Sequence, residues 1–343
     1  MPTSSAGRAR GRILLVALPV LAALLIGAGL AVVRARSDTG NTAATGGDPV
    51  IARVGPDTVH QSLFDQRLSV VLVAVAQGGG PQTSDPQYPA FLGQVRARVL
   101  KNLILDTLIM QQARARNVAA TDAEVASEVQ IETAAAGGQN QLATQLAEAG
   151  GSIATLHDET RSRLNEAHLE EAWAQDRINE AIVRLHAGAR FEDVAADFSD
   201  DAQTNAKGGG VGSLSLDQLH AGGAAFAGAV LALPSGQTSP QPVRDDAGFE
   251  IVRVDSISAT ARSIHRILVA APRPYTAKER PAWFTQAVLL ALSQVCASNS
   301  LSVSIDTSLQ PCGLDTPTPA GPASPGLTPR PLPSAATGAT PAP

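Results

Sequence analysis

Residues Phe198–Leu214 read FSDDAQTNAKGGGVGSL. Three consecutive glycines, Gly208, Gly209 and Gly210, break a chain whose neighbouring segments are alanine-rich and helix-like. Such a run admits a phosphate-cradling loop, a slack linker or a fixed bend of the backbone. A phosphate loop needs Lys followed by Ser or Thr at a helix start, and GGGVGSL supplies neither. A bend leading into a strand would use glycine's tolerance of positive φ and of close chain approach. The flanking sequence decides between the bend and the linker.

Upstream, LHAGARFEDVAADFSDD (185–201) places Gly188, Phe191, Ala195, Phe198, Ser199 and Asp200 in a Gly-x-x-Phe-x-x-x-Ala pattern that runs into Phe-Ser-Asp. Downstream, FAGAVLALPSGQTSPQPVRDDAGFEIVRV (226–254) carries Phe-x-x-Ala, Leu-x-x-Gly, a Ser-to-Pro-Val segment with one extra residue, and a Gly-x-x-Ile strand. In this order and at these spacings the segment resembles a parvulin-type peptidyl-prolyl isomerase domain, with KGGGVG in the place of the Gly-Gly-Asp-Leu-Gly signature. A linker would not sit inside such a run of matches, so the glycines read as a bend beside a substrate cleft.

The resemblance implies an apolar proline pocket and a polar cluster of two histidines, a Cys or Asp, and a Ser or Thr. Asp201, eleven residues before Gly212, falls on the Cys/Asp position. Val211, Phe226 and Leu231 are assigned to the substrate pocket. Gly222 stands where Met or Leu is usual, and Glu250 stands where the last strand carries His. RDDAG offers Asp245 and Asp246 in place of hydroxyls. Amide rotation needs no covalent step, only a site that favours the twisted amide over the planar one.

The family's first strand, a His-Ile-Leu-Val-like segment, should precede the helix INEAIVRLHAGARF, but RLNEAHLEEAWAQD there is helical throughout. His168 therefore takes no site role. SIHRILVAAP (263–272) reads like that strand and follows GFEIVRVDSI after a short connection, which predicts an antiparallel hairpin. It either takes the missing strand's place beside the last strand, as in a circular permutation, or is an ordinary added strand. The first alternative brings His265 or Arg266 to the cleft, and His265 joins Asp201 and Glu250 as the expected catalytic set.

Before this domain lies an amphipathic helical array. VIARVGPDTVHQSLFDQRLSVVL opens as a strand, turns at Gly55-Pro56 and enters a helix. Val95, Val99, Leu103, Leu108 and Ile109 recur at helical spacing in the next segment. Thr121 with Glu124 forms a capping-box pattern, and Gly137-Gly138 breaks the helix that follows. The strand, the long helix, TDAEV and the Gly-Gly break look like the N-terminal chaperone region of the SurA/PrsA-type foldases. AWFTQAVLLALSQVCASNSLSVSID (282–306) returns as a helix and short strand, with Trp283 and Phe284 expected in that region's core.

Ile13–Val33 is an uncharged apolar run of 21 residues, flanked by Arg8, Arg10 and Arg12 before and Arg34 and Arg36 after. It is long enough to cross a bilayer, and longer than the ~7–15 residues of a cleavable signal's apolar region. The arginine excess before it favours an inside N-terminus with the bulk of the chain outside. Cys296 and Cys312, the only cysteines, can close a disulfide in such a compartment. With six scattered histidines they give no metal-ligand spacing, and no metal or cofactor is expected. A net charge of −5 argues against a nucleic-acid binder. Nine prolines after Asp315 mark a tail unable to bury a core.

The expected fold is α+β. A leader (1–12), transmembrane helix (13–33) and linker (34–48) precede a mainly helical SurA-N-like chaperone domain (49–175, completed by 281–306). Into it is inserted a parvulin-like domain (176–270), a small antiparallel sheet flanked by helices, and a Pro-rich tail (314–343) follows. The expected function is a single-pass, membrane-anchored extracytoplasmic foldase that isomerises prolyl bonds in, and chaperones, unfolded secreted polypeptides. The alternative keeps the fold as a holdase that binds without catalysis. A cell-envelope scaffold is a third reading.

Overall fold

The computed structural model describes residues 47–277, 280–305, 309, 311 and 312. The apolar run 13–33, its leader and most of the linker and tail lie outside these. Among the described residues no helix is long and apolar enough to cross a membrane.

The chain enters through a hairpin of β1 (Val50–Val54) and β2 (Asp57–His60), turned at Gly55 with φ 56°. Helices α1 (Gln61–Gln77), α2 (Tyr88–Ala115), α3 (Asp122–Ala135) and α4 (Gln139–Glu148) follow. The Thr121–Glu124 capping box starts α3, each side chain bonding the other's backbone N–H. Then α5 (Ile153–His186) runs 34 residues without a break, about 51 Å at 1.5 Å per residue. No Gly or Pro occurs within it, and Gly188 with φ 91° follows its end. The expected boundary at 175/176 thus falls inside a continuous helix.

Beyond α5 come α6 (Phe191–Phe198), β3 (Gly210–Ser215), α7 (Leu216–Ala221) and α8 (Ala224–Ala232). The short strands β4 (Gln237–Thr238) and β5 (Val243–Arg244) lead into the long hairpin β6 (Gly248–Ile257) and β7 (Ala261–Ala270). These five strands form an antiparallel sheet in the order β3-β7-β6-β4, with β5 also on β6. Finally α9 (Ala282–Ala297) leads to β8 (Leu301–Val303), which pairs with β1 near the other end of the described residues. A Cys296–Cys312 disulfide, Cα–Cα 5.6 Å, ties the segment after β8 back to α9.

The five-stranded sheet is covered on both faces. On one, Ile251, Ile267 and Val269 pack with Ile178 and Ala181 of α5, Phe198 of α6 and Phe284 of α9. On the other, Val252, Val254 and Ile264 pack with Leu219 of α7 and with Phe226 and Val230 of α8. A separate core joins β1, β2 and β8 to α1 and α2. Trp283 and Phe284 are buried, but in the core shared with the five-stranded sheet rather than in that separate one.

Candidate functional site

The glycine run grips the central strand. Gly208, Gly209 and Gly212 have φ of 64°, 84° and 94°, a region other residues avoid. A Cβ on Gly209 would lie 2.6 Å from the Arg266 carbonyl oxygen, and the Gly209 oxygen accepts from the Arg266 N–H at 2.8 Å. The Phe-Ser-Asp that precedes the run is tied to the same strand. Ser199 Oγ accepts from the Leu268 N–H at 3.1 Å, and Asp200 Oδ2 accepts from Ala270 N–H at 2.8 Å and Trp283 Nε1 at 2.9 Å. The motif and the glycines together fix where β7 lies, and so where Arg266 points.

Opposite residues of an antiparallel pair share a face, and alternate residues along a strand share it too. Glu250 pairs with Leu268 and Val252 with Arg266, so Glu250 and Arg266 emerge on the α7/α8 side. There Arg266 Nη2 and Nε donate to Asp201 Oδ2 at 2.7 and 3.2 Å, and Nη1 donates to Glu250 Oε1 at 3.3 Å. Thr204 Oγ1 adds a bond to Asp201 Oδ2 at 2.7 Å. A guanidinium has five N–H donors, and these three bonds leave two without a partner among the described residues.

The two carboxyls respond oppositely to this setting. Burial raises the Glu250 pKa, Arg266 opposes that, and the charges of Asp245 and Asp201 add to it, leaving the group at about 7. Glu250 is 1% exposed, and a hydrogen bond shared with the Asp245 side chain adds to the upward push by favouring its protonated form. For Asp201, burial also pushes upward, but the bonds from Arg266, Thr204 and the Gln203 backbone outweigh it and the pKa is lowered.

An apolar floor adjoins the cluster. Phe226 is buried with Leu219, Val252 and Ile264, while Val211 and Leu214 pack partly exposed at its edge. Gly222 accommodates this ring, since a Cβ there would meet Phe226 Cδ1 at 2.9 Å. Leu231 sits on α8 but is 37% exposed and stands outside that cluster.

His265 is not with Asp201 and Glu250. It pairs with Arg253 across the hairpin and emerges on the α6 face, where Nδ1 lies 2.6 Å from Asp255 Oδ2 and the ring stands edge-on to Phe191. The expectation that His265 completes the polar set is corrected by the pleat: the neighbouring Arg266 occupies that place. His168 lies on α5 against the Val118 carbonyl, away from the cluster. Thr204 has no place in the expected set, and Arg266 enters it only as the alternative to His265. The signal for Arg266 was the alternation of SIHRILV against GFEIV once Glu250 is taken to face the cleft. Among the described residues no group of three His, Cys, Asp or Glu is placed to hold a metal ion.

A family model described as the PPIC-type PPIase domain matches residues 161–256, and one described as the SurA-like N-terminal domain matches residues 8–170. The first match ends before β7, so Arg266 lies beyond it. The chain is similar to Chaperone SurA of Chromobacterium violaceum, 40% identical over 93 residues. That stretch is 27% of this chain and only 20% of the relative's length. The foldase protein PrsA of Lactococcus lactis, a solved structure, aligns over 76% of this chain and 97% of its own at 16% identity, with a TM-score of 0.27 that carries no weight. The chain therefore carries a PPIC-type PPIase domain joined to a SurA-like N-terminal domain.

Proposed function

We propose that the chain is a membrane-tethered, extracytoplasmic foldase that holds unfolded, proline-containing polypeptides and rotates X-Pro bonds at the Asp201–Arg266–Glu250 face. The observation that carries this is the convergence of a cation with spare donors and two carboxyls beside the Phe226 floor. The X-Pro amide resists rotation by about 18–20 kcal/mol because of its resonance. Arg266 bonds the carbonyl oxygen of the bound peptide, the floor takes the proline ring, and the cluster favours the amide in its twisted form. The run 13–33 supplies the tether. Residues 49–175 with 281–306 form the client-holding unit and 176–270 the inserted isomerase unit, a division supported by the pairing of β8 with β1. In this reading β7 replaces the family's first strand between β3 and β6.

A holdase without catalysis is the second reading, favoured by Glu250 in a histidine's position and by the two carboxylates that engage Arg266. Protease-coupled isomerisation of X-Pro peptides by the full chain in detergent separates the two. On the isomerase reading the wild type accelerates rotation, and Asp201→Ala lowers kcat/KM about 10- to 100-fold, equivalent to about 1.4–2.7 kcal/mol. No acceleration by the wild type, with client aggregation still suppressed, establishes the holdase.

A further inference from the structure

One cavity stands apart from the Asp201–Arg266–Glu250 face. A groove of about 1010 Å³ lies between α3, α5 and the segment that leaves β7 at Ala271. It is as large as the biggest ordinary small-molecule sites, ~300–1,000 Å³, and suits an extended stretch of chain. Phe249, Pro272, Pro274 and Tyr275 give it apolar and aromatic lining.

Its charges are unevenly satisfied. Glu171 is bonded by Arg244 at 2.6 Å and Arg273 at 2.7 Å, Glu128 lies 3.5 Å from Arg163, and Glu124 is engaged by the α3 cap. Glu170 is the exception among the lining carboxyls. It is 1% exposed, forms no ion pair among the described residues, and its Oε2 lacks a hydrogen-bond partner. The buried Tyr275 hydroxyl also lacks one among the described residues. Burial, with the charges of Glu171 and Asp200 nearby, holds the Glu170 pKa up at about 8. An arriving cation would relieve that cost by pairing with the ionised carboxylate.

We infer that the groove is the docking site of the chain's own segment Thr328–Pro333, TPRPLP, with Arg330 carried to Glu170. The segment fits on three counts. Arg330 is the only charged residue after Asp315, and three prolines surround it, Pro329, Pro331 and Pro333. Proline-rich segments dock in aromatic-lined grooves because they lose little entropy on binding. The disulfide also fixes the start of the tether: Cys312 is bound to α9, and Arg330 stands 18 positions further along the sequence, within a reach of about 56 Å at ~3.1 Å each. Helix α9, which carries Cys296 near its end, is 16 residues, about 24 Å, and so shorter than that reach. So tethered, the segment reaches an effective concentration on the order of millimolar and competes with any client stretch of the same chemistry.

The test uses the full chain in detergent. Both native cysteines are in the disulfide, so thiols introduced by Gln175→Cys at the groove and Ser334→Cys beside the segment take spin labels selectively. A short, narrow distance component is expected, lost on Arg330→Glu and on Glu170→Gln. Arg330 lies outside the described residues, so its replacement disturbs no described packing. A labelled free peptide of sequence TPRPLPS should bind the Arg330→Glu chain at least about tenfold more tightly than the parent, whose own segment competes. The proposal is overturned by a broad distribution in the parent that Arg330→Glu leaves unchanged, or by a peptide that binds neither chain. A short distance that appears only between singly labelled chains makes a second copy's segment the occupant and also overturns it.

Discussion

His265 and Arg266 are neighbours on β7 yet belong to different regions of the molecule. Arg266 faces α7 and α8, bonded to Asp201 and Glu250 over the Phe226 cluster. His265 faces α6, bonded to Asp255 beside Arg253 and Glu192, with Phe191 at its edge. By residue type the histidine is the better candidate for prolyl chemistry, because the resemblance calls for histidines. The pleat assigns it to the other face all the same. The two faces also differ in how much rests on their charges. The Arg266 face holds a carboxyl that is 1% exposed, whereas the side chains of the His265–Asp255 pair are 24% and 30% exposed.

The largest difference between the faces should come from removing the cation. Arg266→Ala leaves Glu250 buried without a counter-charge and Asp201 without its strongest donor. Breaking such a pair from one side costs about 3–5 kcal/mol, and the lower end applies because Glu250 can take up a proton. A drop of about 3 kcal/mol in urea unfolding at pH 8 is expected. A loss under about 1 kcal/mol would mean that the ion pairs are worth no more than those of an exposed surface.

A second, slightly smaller effect is visible in pH. Glu250 sits at about 7 in the folded chain against 4.5 ordinarily, so folding favours its protonated form. That contribution is complete below about pH 4.5 and is lost as pH rises through about 7. At about 1.4 kcal/mol per pH unit, the wild type should lose up to about 3 kcal/mol more than Glu250→Gln between pH 4.5 and 8. Glu170, whose shift has the same sign, is present in both chains and cancels. Asp201 works in a separate, acidic window: its pKa is lowered, so its contribution is present above 3.8 and lost as pH falls through the folded value. Equal pH profiles for wild type and Glu250→Gln would show that Glu250 is solvated rather than buried.

Much of this arrangement was legible in the sequence. FSDD and GGGVG identified the bend, because positive φ and close approach to Arg266 leave little alternative to glycine. Thr121 and Glu124 announced the start of α3 by their spacing. The stretch from Ile153 to His186, free of Gly and Pro, reads as helix and is one helix, with the 175/176 boundary inside it. One feature escaped. The choice between His265 and Arg266 depended on register. Irregularities at Gly210/Gly212 and Val254/Ser256 shift the pairing, and Asp201 reaches Arg266 from 65 residues away. Local pattern carries no information about contacts at that range.

The smallest effect expected is at His265, and it tests the comparison from the other side. The His265–Asp255 contact is short at 2.6 Å, but both side chains are open to solvent, which screens the pair and limits its worth to about 1 kcal/mol or less. His265→Ala should therefore cost about 1 kcal/mol in urea unfolding, including the lost edge contact with Phe191. On the proposed isomerase reading it should leave X-Pro isomerisation within about twofold of wild type, a difference of about 0.4 kcal/mol in barrier. Isomerisation abolished by His265→Ala, with stability intact, would move the reacting face to the α6 side of the sheet. Arg266, Asp201 and Glu250 would then be left with a structural role, and the two faces of β7 would have exchanged functions.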